Sequence, residues 1–150
     1  MPVLVDTNVL LRFAQASEPY HRQATNSVAA LLESGETVYF TFQNVAEFWN
    51  VATRPQDRNG LGLPAAFVIR AVSDIERLLT FLPDTPAMYT EWKRLVLAHQ
   101  VSGLKVHDAR LVAAMIVHGV DRILTFDVQD FARYHEVRAM HPESLMSQEQ

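Results

Sequence analysis

The 150 residues hold no cysteine, are 49% hydrophobic and 20% charged, and carry a formal net charge of -4. One domain with a sizeable core is expected, while a disulfide scaffold and a protein that coats nucleic acid through bulk positive charge are excluded. No basic-then-apolar leader opens the chain and no run nears the ~18 apolar residues of a membrane span, so a cytoplasmic protein without a membrane partner is expected.

In chain order, Val3-Leu4-Val5 reads as a strand buried on both faces, and it breaks at once into Asp6-Thr7-Asn8 before a short helix over Val9 to Phe13. Ser17-Glu18-Pro19 is a turn. His21 to Glu33 is an amphipathic helix on Ala24, Val28, Leu31 and Leu32, stopped by Ser34-Gly35. Val38-Tyr39-Phe40 is a second strand, and Thr41 caps a helix reaching about Thr53. Arg54 to Pro64 is a loop, with two prolines and Asn59-Gly60. Pro64 opens a helix to about Leu79, and Thr80 to Pro83 is a weak third strand whose proline favours a sheet edge. Pro86 to about Gln100 and Val106 to Val117 are helices, the second ended by Gly119. Arg122 to Phe126 is a fourth strand, Asp127 to Tyr134 a short helix and Val137 to Met140 a last strand. Ser144 to Gln150 reads as a polar tail, leaving residues 1–143 as the domain. Short apolar strands alternating with helices make this an α/β chain, a parallel sheet with helices on both faces.

Four acids stand out by position. Asp6 follows the first strand, where open α/β sheets bind ligands at their carboxyl edge. Glu47 lies in a helix that begins right after the second strand, flanked by Ala46, Phe48 and Trp49. Asp108 opens a late helix and Asp127 follows the fourth strand. Each has an ordinary explanation as a helix cap or a solvated charge. Those explanations do not require the acids to meet one edge, and if the first and fourth strands are neighbours, Asp6 and Asp127 face each other. Four carboxylates within ~5 Å would repel by ~3 kcal/mol per pair at an effective dielectric of 20, so the cluster needs a cation. All-oxygen ligation selects Mg²⁺ or Mn²⁺ over zinc, and the chemistry served is phosphodiester cleavage. Thr7, Asn8 and Thr125 stand beside the acids as supporting groups. The six histidines lack zinc-helix spacing, and His107 is the one close enough to the four acids to matter. Phe48, Trp49 and Trp92 read as core.

Asp6-Thr7-Asn8, Glu47, His107-Asp108-Ala109-Arg110 and Thr125-Phe126-Asp127 with Phe131, taken together, resemble the PIN domain. The loop from Ala52-Thr53-Arg54-Pro55 to Asn59-Gly60-Leu61-Gly62 is similar to that of the VapC-type toxins of bacterial toxin–antitoxin pairs. The resemblance implies a PIN-like three-layer sandwich whose five parallel strands run 3-2-1-4-5. It implies a Mg²⁺- or Mn²⁺-dependent ribonuclease with Asp6, Glu47, Asp108 and Asp127 as catalytic and metal-binding acids, an RNA substrate, a homodimer and an antitoxin partner. Arg12, Arg54, Arg58, Lys105 and Arg110 are the basic residues placed around the groove. Two alternatives stand beside this: a non-catalytic PIN-like module binding RNA or protein, and an aspartate-based phosphatase, against which Asn8 counts because such enzymes usually place a second acid there.

Overall fold

The computed structural model describes residues 1–146. Five strands, β1 (Val3–Val5), β2 (Val38–Thr41), β3 (Thr80–Leu82), β4 (Arg122–Leu124) and β5 (Arg138–Met140), pair in parallel in the order β3-β2-β1-β4-β5. The helices are α1 (Thr7–Ala14), α2 (His21–Glu33), α3 (Phe42–Thr53), α4 (Ala65–Leu78), α5 (Pro86–His99), α6 (Val106–His118) and α7 (Pro142–Met146).

Strand β1 is central, and its uninterrupted apolar run follows from being covered twice. Val3 and Val5 pack with Leu10, Val28, Phe48, Val68 and Ile75 on one face, whereas Leu4 packs with Leu95, Val112, Met115 and Phe131 on the other. Three layers result: α1 to α4 with α7, the sheet, then α5 and α6. The expected strand order and layering are what the structure shows. Strand β3 lies at an edge, as Pro83 suggested.

Local differences have local causes. Helix α1 starts at Thr7 rather than Val9, because a carboxylate oxygen of Asp6 accepts the Thr7 N–H at 2.7 Å and caps the first turn. Pro64 is the residue before α4 rather than its first, and the segment after Asp127 is a single 3₁₀ turn, Val128–Phe131, rather than an α-helix. The polar tail expected from Ser144 is corrected in part: Ser144 to Met146 complete α7, and Leu145 packs against the core. Residues 147–150 lie outside the described residues.

The loop after α3 is closed by backbone bonds from Leu61, Gly62 and Leu63 back to Val51, Arg54 and Ala52. It needs glycine at position 60, where a Cβ would overlap the Arg54 carbonyl. Trp49 is exposed at the surface of α3 rather than core, and Trp92 is half-buried with its indole N–H donating to the Val106 carbonyl at 2.9 Å. Among the described residues no helix is long and apolar enough to cross a membrane.

Candidate active site

Register decides what meets at the carboxyl edge. Val5 of β1 lies level with Leu124 of β4, so the next residues, Asp6 and Thr125, leave the sheet side by side, and the Asp6 N–H donates to the Leu124 carbonyl at 2.9 Å. The buried Thr125 hydroxyl donates to Asp6 Oδ2 at 2.8 Å and accepts the Asp127 N–H at 3.0 Å. The Asn8 amide, one turn into α1, spans the same gap: its Nδ2 lies 3.4 Å from Asp6 Oδ2, 3.2 Å from Thr125 Oγ1 and 3.2 Å from Asp127 Oδ2. Its Oδ1 accepts the Phe126 N–H. Asp6 and Asp127 therefore flank one amide and one hydroxyl.

A second limb comes from α3. Thr41 caps this helix, and Asn44 completes a capping box with it. The free end of that buried amide, Nδ2, donates to Thr7 Oγ1 at 3.1 Å, and Thr7 in turn donates to Glu47 Oε1 at 3.4 Å. Asp108 lies in the first turn of α6, whose start is tied to α3 by Gln43 Nε2 donating to the His107 carbonyl at 2.8 Å.

Electrostatics bind the limbs together. Burial pushes the Asp6 carboxyl up to about 7, against the lowering pull of the Thr125 and Thr7 hydrogen bonds, and the charges of Asp108 and Glu47 push it the same way. Asp108 is raised to about 6, first by burial and next by Asp130, with Lys105 opposing and Glu47 and Asp127 adding to the rise. None of Asp6, Glu47, Asp108 and Asp127 has an ion-pair partner among the described residues. Nor do any three His, Cys, Asp or Glu side chains there form one closed ligand set, so the expectation of four carboxylates already crowded around a single point is corrected: they stand in linked limbs along the edge. Their chemistry still fits a hard divalent cation, since the donors are all oxygens and the buried, uncompensated Asp6 carboxylate lacks the positive charge that such an ion brings.

The PIN domain profile matches residues 3–137. The chain belongs to the PIN domain family. Its fold also matches solved structures at low sequence identity: VapBC-1 of nontypeable Haemophilus influenzae (13% identity, TM-score 0.72, covering 95% of this chain and 99% of that one) and FitAcB of Neisseria gonorrhoeae (21%, 0.64, 94% and 98%). A third is VapC20 of Mycobacterium tuberculosis, a sarcin-ricin loop cleaving toxin (20%, 0.65, 91% and 98%). No curated protein sequence matches significantly.

Within this PIN domain the five basic residues expected around the groove separate. Lys105 is paired with Asp130 at 2.5 Å and Arg110 with Asp84 at 3.1 Å, while Arg54 donates to the Asn59 carbonyl and holds its own loop. Arg58 is exposed on the 3₁₀ turn Gln56–Arg58. Arg12 lies over the Phe126 ring, 4.9 Å from its centre, with Nη1 donating to the Asn8 carbonyl. His107 is exposed, and with Gln43, Glu47, Asn50 and Arg110 it lines a cleft of about 570 Å³ that opens beside Glu47.

Asn44 and Gln43 were not singled out from the sequence. The signal for Asn44 was Thr41-Phe42-Gln43-Asn44, a capping-box spacing with an amide at its end; nothing local marked Gln43. Thr125 was singled out, and the structure makes its role testable. Thr125→Val keeps the shape but removes the hydroxyl that orders Asp6, Asn8 and Asp127. Cleavage by the purified variant is expected to fall by about 10- to 100-fold, the range for losing an outer-shell partner, while Thr125→Ser stays near wild type. Equal activity for valine and serine would show that the hydroxyl does not order the acids.

Proposed function

We propose that this PIN domain is a Mg²⁺- or Mn²⁺-dependent endoribonuclease of the VapC type, the toxin of a type II toxin–antitoxin pair. Asp6, Glu47, Asp108 and Asp127 are its catalytic, metal-holding acids. The observation that carries this reading is the row of carboxylates without cationic partners, ordered by Asn8, Thr125 and Thr7 at the edge where β1 and β4 end. A bound Mg²⁺ or Mn²⁺ supplies an activated water at neutral pH and neutralises charge on the scissile phosphate and the leaving oxygen. The chain's own residues do the positioning. Thr125 and Asn8 fix the orientation of Asp6 and Asp127, Thr7 holds Glu47, and Asp6 gives up its proton near pH 7 to become a ligand. The cleft beside Glu47 gives an RNA strand a path to the acids. The net charge of -4 makes binding of RNA without a metal weak. That one similar fold, the VapC20 protein, cleaves the sarcin-ricin loop supports RNA as the substrate class, and the VapBC neighbours support an antitoxin partner; a homodimer and a cytoplasmic setting complete the proposal. Position 8 argues against a phosphatase, since its amide is engaged between two carboxylates rather than offering a second acid.

The test is a mixed RNA pool treated with purified protein in Mn²⁺ or Mg²⁺, in EDTA, and with Asp6→Asn as the contamination control. Discrete metal-dependent cuts lost in both controls are expected. Cuts that persist in EDTA or in the variant would remove the metal site from the reaction, and an uncut pool together with indifference to metal would favour a binding module.

A further inference from the structure

Resting on the ribonuclease reading, we propose that Tyr20, Phe126 and Arg12 form a nucleotide subsite in which Tyr20 stacks on a base flanking the scissile phosphate and Arg12 takes the adjoining phosphate. Phe126 stands between two residues of the acidic edge, and its backbone N–H is held by Asn8. Its backbone is therefore held beside Asp6 and Asp127. The Tyr20 ring lies 5.8 Å from that of Phe126, tilted by 40°, and the His141 ring meets it edge-on at 5.2 Å. The Arg12 guanidinium spans both rings, 4.9 Å from Phe126 and 6.0 Å from Tyr20.

Three features distinguish this cluster from ordinary packing. Tyr20 is 59% exposed, so its ring is open to a second flat partner rather than sealed in the core. Its backbone sits at φ +65°, a conformation unusual for a bulky residue, at the junction where the chain turns into α2. Arg12, unlike Lys105 and Arg110, has no carboxylate partner among the described residues, and its Nε is buried without a hydrogen-bond partner. An unpaired cation lying on aromatic faces next to a phosphodiesterase edge offers what single-stranded RNA requires: stacking for the base and charge for the backbone. His21 supports the arrangement, its Nδ1 lying 2.6 Å from the Arg12 carbonyl and tying the end of α1 to the start of α2.

The experiment measures binding of a fluorescent single-stranded RNA of random sequence, ~12 nucleotides long, to the wild-type protein and to the same protein carrying Tyr20→Ala or Tyr20→Phe, with Ca²⁺ in place of Mg²⁺ so that the acids hold an ion while cleavage is held off. A fully abasic strand of equal length is the control. Tyr20→Ala is expected to weaken binding of the random RNA on the order of tenfold, with Tyr20→Phe within ~twofold of the parent, and to leave the abasic strand and the melting temperature unchanged. Arg12→Gln is expected to weaken both strands. Unaltered binding of random RNA by Tyr20→Ala, or equal losses for both strands with a lowered melting temperature, would overturn the subsite and leave Tyr20 a support for the α1–α2 turn. If the RNA pool is cut by the wild-type protein in that case, the ribonuclease reading stands alone. If the pool is uncut and no protein binds either strand, both readings fall.

Discussion

Asp6→Asn is expected to slow RNA cleavage by more than ~100-fold, beyond the range for losing a mere outer-shell partner, and yet to melt higher than the wild type at pH 8 without metal. The carboxylate proposed to hold the metal is also one that the metal-free fold strains to keep ionised. Asp6 is only 9% exposed and its carboxyl is pushed from 3.8 to about 7. Between those values the folded chain binds more protons than the unfolded chain, so stability falls as pH rises from about 4 to about 7. The separation corresponds to roughly 4 kcal/mol at full ionisation. Asparagine carries no charge to bury and is an equally good N-cap for α1. It does give something up: the Thr125 hydroxyl already accepts from Asn8 and Asp127, so an amide NH₂ turned towards it replaces the bond now donated to Asp6, at about 1–3 kcal/mol. The variant should thus gain a few degrees at pH 8 and lose a few at pH 4, where the wild-type carboxyl is neutral when folded and little of that separation has yet been expressed. Thermal melts at both pH values check this; a variant that melts lower at both would mark Asp6 as chiefly a structural group.

Millimolar Mn²⁺ is expected to raise the melting temperature of the wild-type protein by about 5–10 °C at pH 8. An ion present at a hundred times its dissociation constant stabilises by ~2.7 kcal/mol, and each kcal/mol moves a domain of this size by roughly 2–4 °C. The shift should shrink markedly at pH 6. There, protons compete for Asp6 and Asp108, whose carboxyls are raised to about 7 and about 6, and a ligand must be deprotonated to hold the ion. Asp6→Asn should remove most of the shift at either pH. A melting temperature indifferent to Mn²⁺ and Mg²⁺, or one raised equally in the variant, would count against a site built on these acids.

Much of the fold was legible because the signals are local. Val3-Leu4-Val5 announces a doubly covered strand, Thr41 and Gly119 mark helix ends, and Pro83 marks an edge; each depends on neighbours within a turn or two along the chain. The places where local reading slipped are those where side chains act over distance or in either of two ways. Asp6 caps α1 as well as standing at the proposed site, and that cap sets the start of α1 at Thr7, two residues ahead of the apolar run at Val9. Leu145 stands among polar residues in sequence, and only the core it packs against gives it a partly buried role.

Local patterns along the chain already set which residues leave the strands at the carboxyl edge, and so which acids stand there: Asp6 after β1, Asp127 after β4, Glu47 in the helix after β2. Tertiary structure alone decided how they are held and which charges remain uncompensated. Thr125 and Asn8 meet across the chain because β1 and β4 pair in one register. Asn44 reaches Thr7 because α3 packs on α1, and salt bridges to Asp130 and Asp84 occupy Lys105 and Arg110 while Arg12 settles on Phe126. Those partnerships are set by packing of elements far apart in sequence, and no local pattern encodes them.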